Sequence, residues 1–369
     1  MKKILEVLGE PIENGGQEAF VFNVLANMDL SRARVDVFTP YHCDNTYYKS
    51  MIENSGGRII AMELPFAPGN SRINIMKPLS EYLKNNHYDV VHVHSGSISV
   101  LAEVAFVARI NHVKKIIVHS HCAAEKKTIK YGLAKLASLP IMHFCPTDYF
   151  ACSQVAGDWK FSRRIAQNKL LILKNGVDLK KFAPNSEVRE MYRKKLAVSG
   201  ETFVIGHVGR FSYQKNHEYL IDVFEKVRSQ HNDSVLLLIG EGEDFDRIQK
   251  LVHNKHLRDS VIFLGNVDNV NDYMQIMDVF LLPSHFEGLP IVGVEAQAAG
   301  LPIFVSNNVS PELKLSPTIE FLDLDDQEKW VDKTLSCLDT KHVDNSKCLL
   351  KNGYSIEDTA KKLMEVYGV

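Results

Sequence analysis

Short, unbroken apolar runs recur along this chain, each followed by a stretch of helical spacing, and the alternation occurs twice. In the first half Lys3–Leu8, Val35–Thr39, Arg58–Met62, Asp89–His94, Lys115–His119 and Tyr149–Cys152 read as strands. Helical spacing fills 17–29, 76–86, 98–111 and 123–138. In the second half Phe203–Gly209, Val235–Gly240, Val261–Gly265, Val279–Pro283 and Pro302–Val305 are strand-like, with helices over 216–230, 244–256, 269–277 and 290–299. A strand that is apolar on both faces must be covered on both, and strands alternating with helices build parallel sheets. The pattern predicts an α/β protein of two Rossmann-like units joined near 176–200, with the carboxyl ends of both sheets opening onto a cleft. The expected boundaries are 1–180, 181–354 and a terminal helix, 355–369, that packs back on the first unit. Its stripe is Ile356, Ala360, Leu363, Val366 and Tyr367.

Composition removes several other classes. At 369 residues, 45% hydrophobic and 24% charged, the chain is ordinary for a soluble two-domain protein. No apolar run approaches the ~18–20 residues that span a bilayer. The first run is broken by Glu6 and reads as a strand, not a secretory leader. Cysteines 43, 122, 145, 152, 337 and 348 have no metal spacing, and free thiols in a reducing cytoplasm are the simpler reading. The net charge of −2 hides an asymmetry: residues 1–185 hold 23 Lys and Arg against 16 Asp and Glu, the remainder 20 against 29. A basic first half suits an anionic partner, or it is solvated surface.

Six motifs carry candidate chemistry. Glu287-Gly288-Leu289-Pro290 follows the apolar run 278–283, and Glu295 lies on the helix that begins near Pro290. Strand, loop and helix N-terminus form an anion site, here flanked by two carboxylates. That arrangement suits a sugar nucleotide: amides for phosphate, carboxylates for hydroxyls. Val208-Gly209-Arg210 ends another strand, and Lys215 stands at the next helix start, where a cation opposes the helix dipole. An anion held between Arg210 and Lys215 accounts for that placement. Gly15-Gly16 precedes the first helix without the G-x-G-x-x-G dinucleotide fingerprint; it is a plain tight turn or a close approach to a ligand. His92-Val93-His94 and His119-Ser120-His121 put two imidazoles on one face at strand ends. They are a zinc set, cleft-edge polar residues, or a His acting on substrate, and no separated ligand completes a metal site. Asn175-Gly176 is a turn. Finally, 122–140 is a basic amphipathic stretch with Lys126, Lys127, Lys130 and Lys135 around Ile129, Leu133 and Leu136. It is an ordinary core-facing helix or an anionic-membrane contact.

Together these motifs resemble the retaining GT-B glycosyltransferases of glycosyltransferase family 4, over nearly the whole chain. The paired glutamates Glu287 and Glu295, Val208-Gly209-Arg210 with Lys215-Asn216, Asn175-Gly176-Val177-Asp178 and Gly15-Gly16-x-Glu18 carry the likeness. Glu287–Pro302 and Val118–His121 look like the bacterial capsule, exopolysaccharide and lipopolysaccharide subgroup. The resemblance implies that Arg210 and Lys215 bind the donor diphosphate, that Glu295 takes the ribose hydroxyls, and that Glu287 with the amides of Gly288 and Leu289 holds the sugar. Gly16, with Gly15, lies against the donor. His119 matches the family's active-site His, with His121 as the second choice; Asn175 is a further candidate. Where many members have Gly-Phe-Gly, this chain has Gly288-Leu289-Pro290, so one amide is missing.

The implied reaction moves a hexosyl or N-acetylhexosaminyl unit from a nucleoside diphosphate sugar, UDP by default, to a glycan or lipid-linked acceptor. No cofactor, metal or nucleic acid is expected. The implied place is the cytoplasm, at the inner face of the membrane. A GT-B nucleotide-sugar epimerase and a zinc hydrolase on the His-x-His pairs are the competing readings.

Overall fold

The computed structural model describes residues 1–13, 15–66, 72–121 and 128–369. Lys126, Lys127 and Cys122 of the basic stretch lie outside the described residues. The chain forms two units, one of Met1–Gly176 with Ile356–Val369, the other of Val177–Ser355.

The first unit is a parallel sheet of β1 (Lys2–Leu8), β2 (Ala33–Thr39), β3 (Ile59–Ala61), β4 (Val90–His94), β5 (Lys115–Ser120), β6 (Asp148–Ala151) and β7 (Leu170–Ile172). The strand order is β3-β2-β1-β4-β5-β6-β7. Successive side chains of a strand point to opposite faces. Leu5, Val7, Val91 and Val93 therefore join one buried cluster, and Ile4, Leu8, Val35 and Val90 the other. The second cluster also takes Ile356, Ala360, Leu363 and Tyr367, so the terminal helix Ile356–Tyr367 closes the first unit's core with one stripe.

The second unit repeats the plan with β8 (Phe203–Val208), β9 (Ser234–Ile239), β10 (Val261–Phe263), β11 (Val279–Leu282), β12 (Ile303–Ser306) and β13 (Ile319–Leu322), in the order β10-β9-β8-β11-β12-β13. Both sheets reverse their order beside the first strand, between β1 and β4 and between β8 and β11. Ligands of open α/β sheets bind outside the carboxyl ends of strands at such switch points.

Two strands were not legible in the sequence, β7 and β13. Both are short sheet edges, and β13 carries Glu320 within it. One helix is displaced from its expected span. It runs Ile129–Phe144, through Pro140, rather than 123–138. Proline leaves the carbonyl of residue 136 without an intrahelical donor, and Leu136 is exposed, so water can serve it.

The turn after β9 fixes the Arg210 loop. Gly240 has φ of 130°, and its amide bonds the Gly265 carbonyl at 2.8 Å. A Cβ there would stand 2.3 Å from the Gly209 carbonyl oxygen. Gly240→Ala is therefore expected to cost ~3 kcal/mol, since both dihedral and backbone contact oppose it. Denaturant unfolding measures this; a cost under ~1 kcal/mol would show that the turn relaxes freely.

Candidate active site

In the second unit the candidate residues gather at the β8/β11 switch point. After β8 the chain turns through Gly209 and Arg210 into a short 3-10 turn, Tyr213–Lys215, and Asn216 adopts the left-handed conformation at φ 56°. The helix His217–Gln230 begins only after it. Lys215 is thus one turn ahead of the helix, not in its first turn. Gly209 makes room for its stem: a Cβ there would touch the Lys215 methylenes at 3.0–3.1 Å. Lys215 Nζ lies 2.6 Å from Glu287 Oε1, with both side chains largely buried. The opposed cation is therefore answered by a carboxylate of its own unit, which the sequence argument did not foresee.

Glu287 is held on every side. Gln214 Nε2 donates to its Oε2 at 2.9 Å, and the Ser284 hydroxyl donates to Oε1 at 3.2 Å. Its backbone bridges to the segment after β12: Glu287 N–H to the Asn308 carbonyl at 3.2 Å, and Ser310 N–H to the Glu287 carbonyl at 3.1 Å. Gly288 is exposed with open space around it, Leu289 packs on the core, and Pro290 caps the helix Ile291–Ala298. Arg210 is exposed and its Nε meets Glu243 at 3.1 Å. Glu295 is half-buried on that helix; burial pushes its carboxyl up to about 7, and the Lys181 charge opposes the shift. Tyr213, exposed, stacks on His285 at 4.3 Å beside this group.

In the first unit, Gly15 caps the helix Gly16–Ala26, and a Cβ there would meet the Glu18 carboxylate, which would have to move aside. Gly16 faces open space. Asn175 is buried with Oδ1 unpartnered among the described residues. At the β1/β4 switch point stands a group that motif reading missed. Arg72 Nη1 reaches Glu10 Oε1 and the Gly9 carbonyl, both at 3.0 Å, while Ser95 and Gln17 also bond the Glu10 carboxylate. Arg72 and Glu10 are 62 residues apart, and only the strand order joins them.

The His-x-His pairs meet in one buried cluster. Register sets Glu6 beside His92 and His94 beside His119, all on the face covered by the first and last helices. His94 Nε2 bonds Glu6 Oε2 at 2.9 Å, and His94 Nδ1 bonds His121 Nε2 at 2.8 Å. His92 Nδ1 meets the Tyr367 hydroxyl at 2.6 Å, which in turn donates to Glu6 Oε1 at 2.5 Å. His119 is fully buried with neither ring nitrogen partnered among the described residues; His121 is half-buried. Nitrogens of His92, His94 and His119 lie within 4.8 Å of one another. A tetrahedral zinc needs them about 3.4 Å apart. His94 has both nitrogens engaged, so it has no lone pair left for a metal. The cluster is a hydrogen-bonded chain more than a metal cage.

Two parallel sheets of this order, each with its switch-point group, are those of the GT-B fold. The structure of Anabaena HepE in complex with UDP and glucose matches at a TM-score of 0.79 and 16% identity, covering 100% of both chains. That of WaaG, a glycosyltransferase involved in lipopolysaccharide biosynthesis, matches at 0.73 and 14%, covering 98% of this chain and 99% of that one. Residues 14–181 match the Glycosyltransferase Family 4 model, and residues 188–315 match Glycosyl transferases group 1. The chain carries both domains and is a glycosyltransferase. It is 29% identical to EpsF of Bacillus subtilis (strain 168), a protein with a glycosyltransferase name, over 85% of this chain and 81% of that protein. It is 26% identical to an Escherichia coli UDP-Gal:alpha-D-GlcNAc-diphosphoundecaprenol alpha-1,3-galactosyltransferase, over 78% and 77%. These likenesses do not favour the epimerase or the hydrolase.

Burial holds His92, His94, His119, His121, His207 and His217 neutral, with pKa values well below 6.5. The unfolded chain binds protons on them below about pH 6.5, so stability falls as pH drops through that range. Glu6, Glu18 and Glu295, raised by burial to about 8, 7 and 7, act oppositely: each weakens the fold as pH rises from 4.5 to its folded value. Six imidazoles outweigh three carboxyls, and the unfolding midpoint is expected several degrees lower at about pH 5 than at pH 6.5. Calorimetry across that range checks it; an equal or higher midpoint at pH 5 contradicts the neutral cluster.

Proposed function

We propose that this chain is a retaining transferase that moves a hexosyl or N-acetylhexosaminyl unit from a nucleoside diphosphate sugar, UDP by preference, to a glycan or lipid-linked hydroxyl in surface polysaccharide synthesis. The observation that carries the reading is the Lys215–Glu287 pair, a cation and a carboxylate held side by side at a switch point inside the group 1 domain. The E. coli relative, named for a UDP-sugar and a diphosphoundecaprenol acceptor, supports the substrate classes.

In the proposed reaction the bond from the anomeric carbon to the diphosphate breaks, and its electron pair goes to the diphosphate. Arg210 and Lys215 meet that growing charge, which stabilises the transition state more than the ground state. The acceptor oxygen bonds the same face of the carbon, and its proton leaves to the departing phosphate. Glu287, with the exposed amide of Gly288 and that of Leu289, holds the sugar hydroxyls; Glu295 takes the ribose. Side-chain cations balance the diphosphate, so no metal is required.

Lys215→Ala is expected to lower kcat/KM on the order of 100-fold, with unchanged circular dichroism and with EDTA present throughout. Glu295→Ala is expected to weaken free UDP, whereas Glu287→Ala spares UDP and impairs transfer. Radiolabelled sugar transfer and UDP calorimetry decide this. Wild-type turnover in Lys215→Ala, or equal loss of UDP in both glutamate variants, would sink the assignment.

The acceptor side of the proposal includes reversible contact with an anionic bilayer. On the helix Ile129–Phe144, Ile129, Leu133, Leu136 and Phe144 are 86%, 65%, 66% and 74% exposed, in helical register with exposed Pro140. No Asp or Glu interrupts residues 129–144. Lys135 does not join the basic face, because its ammonium bonds the Trp159 carbonyl at 2.5 Å. The contact is thus an inserted apolar stripe more than the expected row of lysines. Leu133→Glu with Leu136→Glu is expected to abolish co-sedimentation with phosphatidylglycerol vesicles and leave transfer to a soluble acceptor intact. Undiminished sedimentation of the double variant would rule the stripe out.

A further inference from the structure

The buried chain of hydrogen bonds beneath β1 and β4 has two consistent proton arrangements, and they differ at its far end. Tyr367 donates to Glu6 Oε1, so its oxygen accepts from His92 Nδ1–H. Glu6 Oε2 faces His94 Nε2, and His94 Nδ1 faces His121 Nε2. The imidazoles are neutral, so each has one donor nitrogen and one acceptor. With Glu6 ionised, His94 Nε2–H donates to it, His121 Nε2–H donates to His94, and His121 Nδ1 is a bare acceptor. With a proton on Glu6 Oε2, every bond reverses: Glu6 donates to His94, His94 Nδ1–H donates to His121, and His121 Nδ1 carries the hydrogen. His121 Nδ1 has no partner among the described residues.

We propose that Glu6 is a positioning residue which, through His94, sets the tautomer that His121 offers a sugar hydroxyl at the carboxyl end of β5. The proposal rests on the glycosyl-transfer reading for its substrate, and for the relay on these contacts together with the burial that keeps the imidazoles neutral. It also selects between the two imidazoles of the second pair. Among the described residues no hydrogen bond fixes the tautomer of His119, while His121 is tied to a carboxyl two bonds away. An unpartnered buried nitrogen is costly, and a hydrogen bond with a sugar hydroxyl recovers that cost.

The groups that face Glu6 are few. β4 contributes His92, 3.4 Å away, and His94; the last helix contributes Tyr367; β2 sets apolar Val37 opposite. The first helix contributes Phe20 to the cluster, and its Glu18 is turned to Gly15. Lys2 is spent on the Tyr367 carbonyl at 2.8 Å. Among the described residues no fixed cation holds Glu6 ionised, and burial raises its carboxyl to about 8, with the Tyr367 bond opposing the shift. The relay therefore reverses just above neutrality.

The test is a pH titration of the whole chain labelled with 15N-histidine, with tautomers read from the ring 15N shifts. His121 is assigned from the resonance lost in His121→Gln. The wild type is expected to hold the Nδ1–H form of His121 at about pH 6.5 and the Nε2–H form at about pH 9.5. Glu6→Gln, whose amide can donate but not ionise, is expected to keep Nδ1–H throughout. In parallel the wild-type kcat/KM should show a transition near 8, and Glu6→Gln should lose that transition while keeping binding of UDP. A His121 tautomer that does not change with pH in the wild type overturns the proposal, as it would if the carboxyl proton sat on the Tyr367 side. The same transition in wild type and Glu6→Gln also overturns it. If Glu6→Gln fails to fold, the wild-type titration alone decides. If no sugar is transferred by the wild type, the transfer reading fails while the tautomer arm still stands or falls by itself.

Discussion

A parallel strand cannot be reached from its neighbour by a tight turn; the chain must cross over and re-enter from the same end. Every functional feature of this protein follows from that constraint. Each crossover is a helix on one face of a sheet, so the strands are buried and apolar. Every carboxyl end lies along one edge, so residues far apart in sequence meet there. Lys215 and Glu287 become neighbours because β8 and β11 pair in the sheet, and Ser95 reaches Glu10 because β4 lies beside β1.

The first unit departs from the usual apolar strand interior most extensively along one row. Glu6, His92, His94 and His119 form a polar row on a face otherwise made of Ile4, Leu8, Val35 and Val90. A buried polar network is costly unless its members satisfy one another. Here the satisfaction is partial and directional: it begins at Tyr367 on the last helix, passes through Glu6 and His94, and ends on the half-buried His121. Hydrophobic packing alone would have needed none of these groups. On the relay proposed above, the row preorganises the residue at its end.

The fold was legible in the chain because its signal is redundant. Eleven apolar runs with helical spacing between them leave little choice but parallel sheets, and the missed β7 and β13 are edge strands too short or too polar to announce themselves. The site was legible where one motif spans it, as in Glu287 to Glu295. It was illegible where partners come from different crossovers. Nothing near Lys215 in sequence indicates Glu287 as its counter-ion, and nothing near Glu10 indicates Arg72. The His-x-His spacing placed two imidazoles on a face but could not say that both pairs share one face, because register between β4 and β5 is a tertiary property. Likewise four lysines on a helical wheel suggested a basic surface, whereas Lys135 is turned to backbone carbonyls and Ile129, Leu133, Leu136 and Phe144 are exposed beside Lys130.

The terminal helix has a consequence for how the molecule comes into being. The first unit's core includes Ile356, Ala360, Leu363 and Tyr367, yet the whole of Val177–Ser355 is synthesised between them and Gly176. On the ribosome the contiguous second unit can finish its core first, while the earlier-made unit waits with one apolar face and the Glu6 carboxyl uncovered. Transiently exposed apolar surface is what chaperones bind and what aggregates. The last dozen residues thus act as a latch in time as well as in space, and the site beneath them can assemble only after the rest of the chain exists.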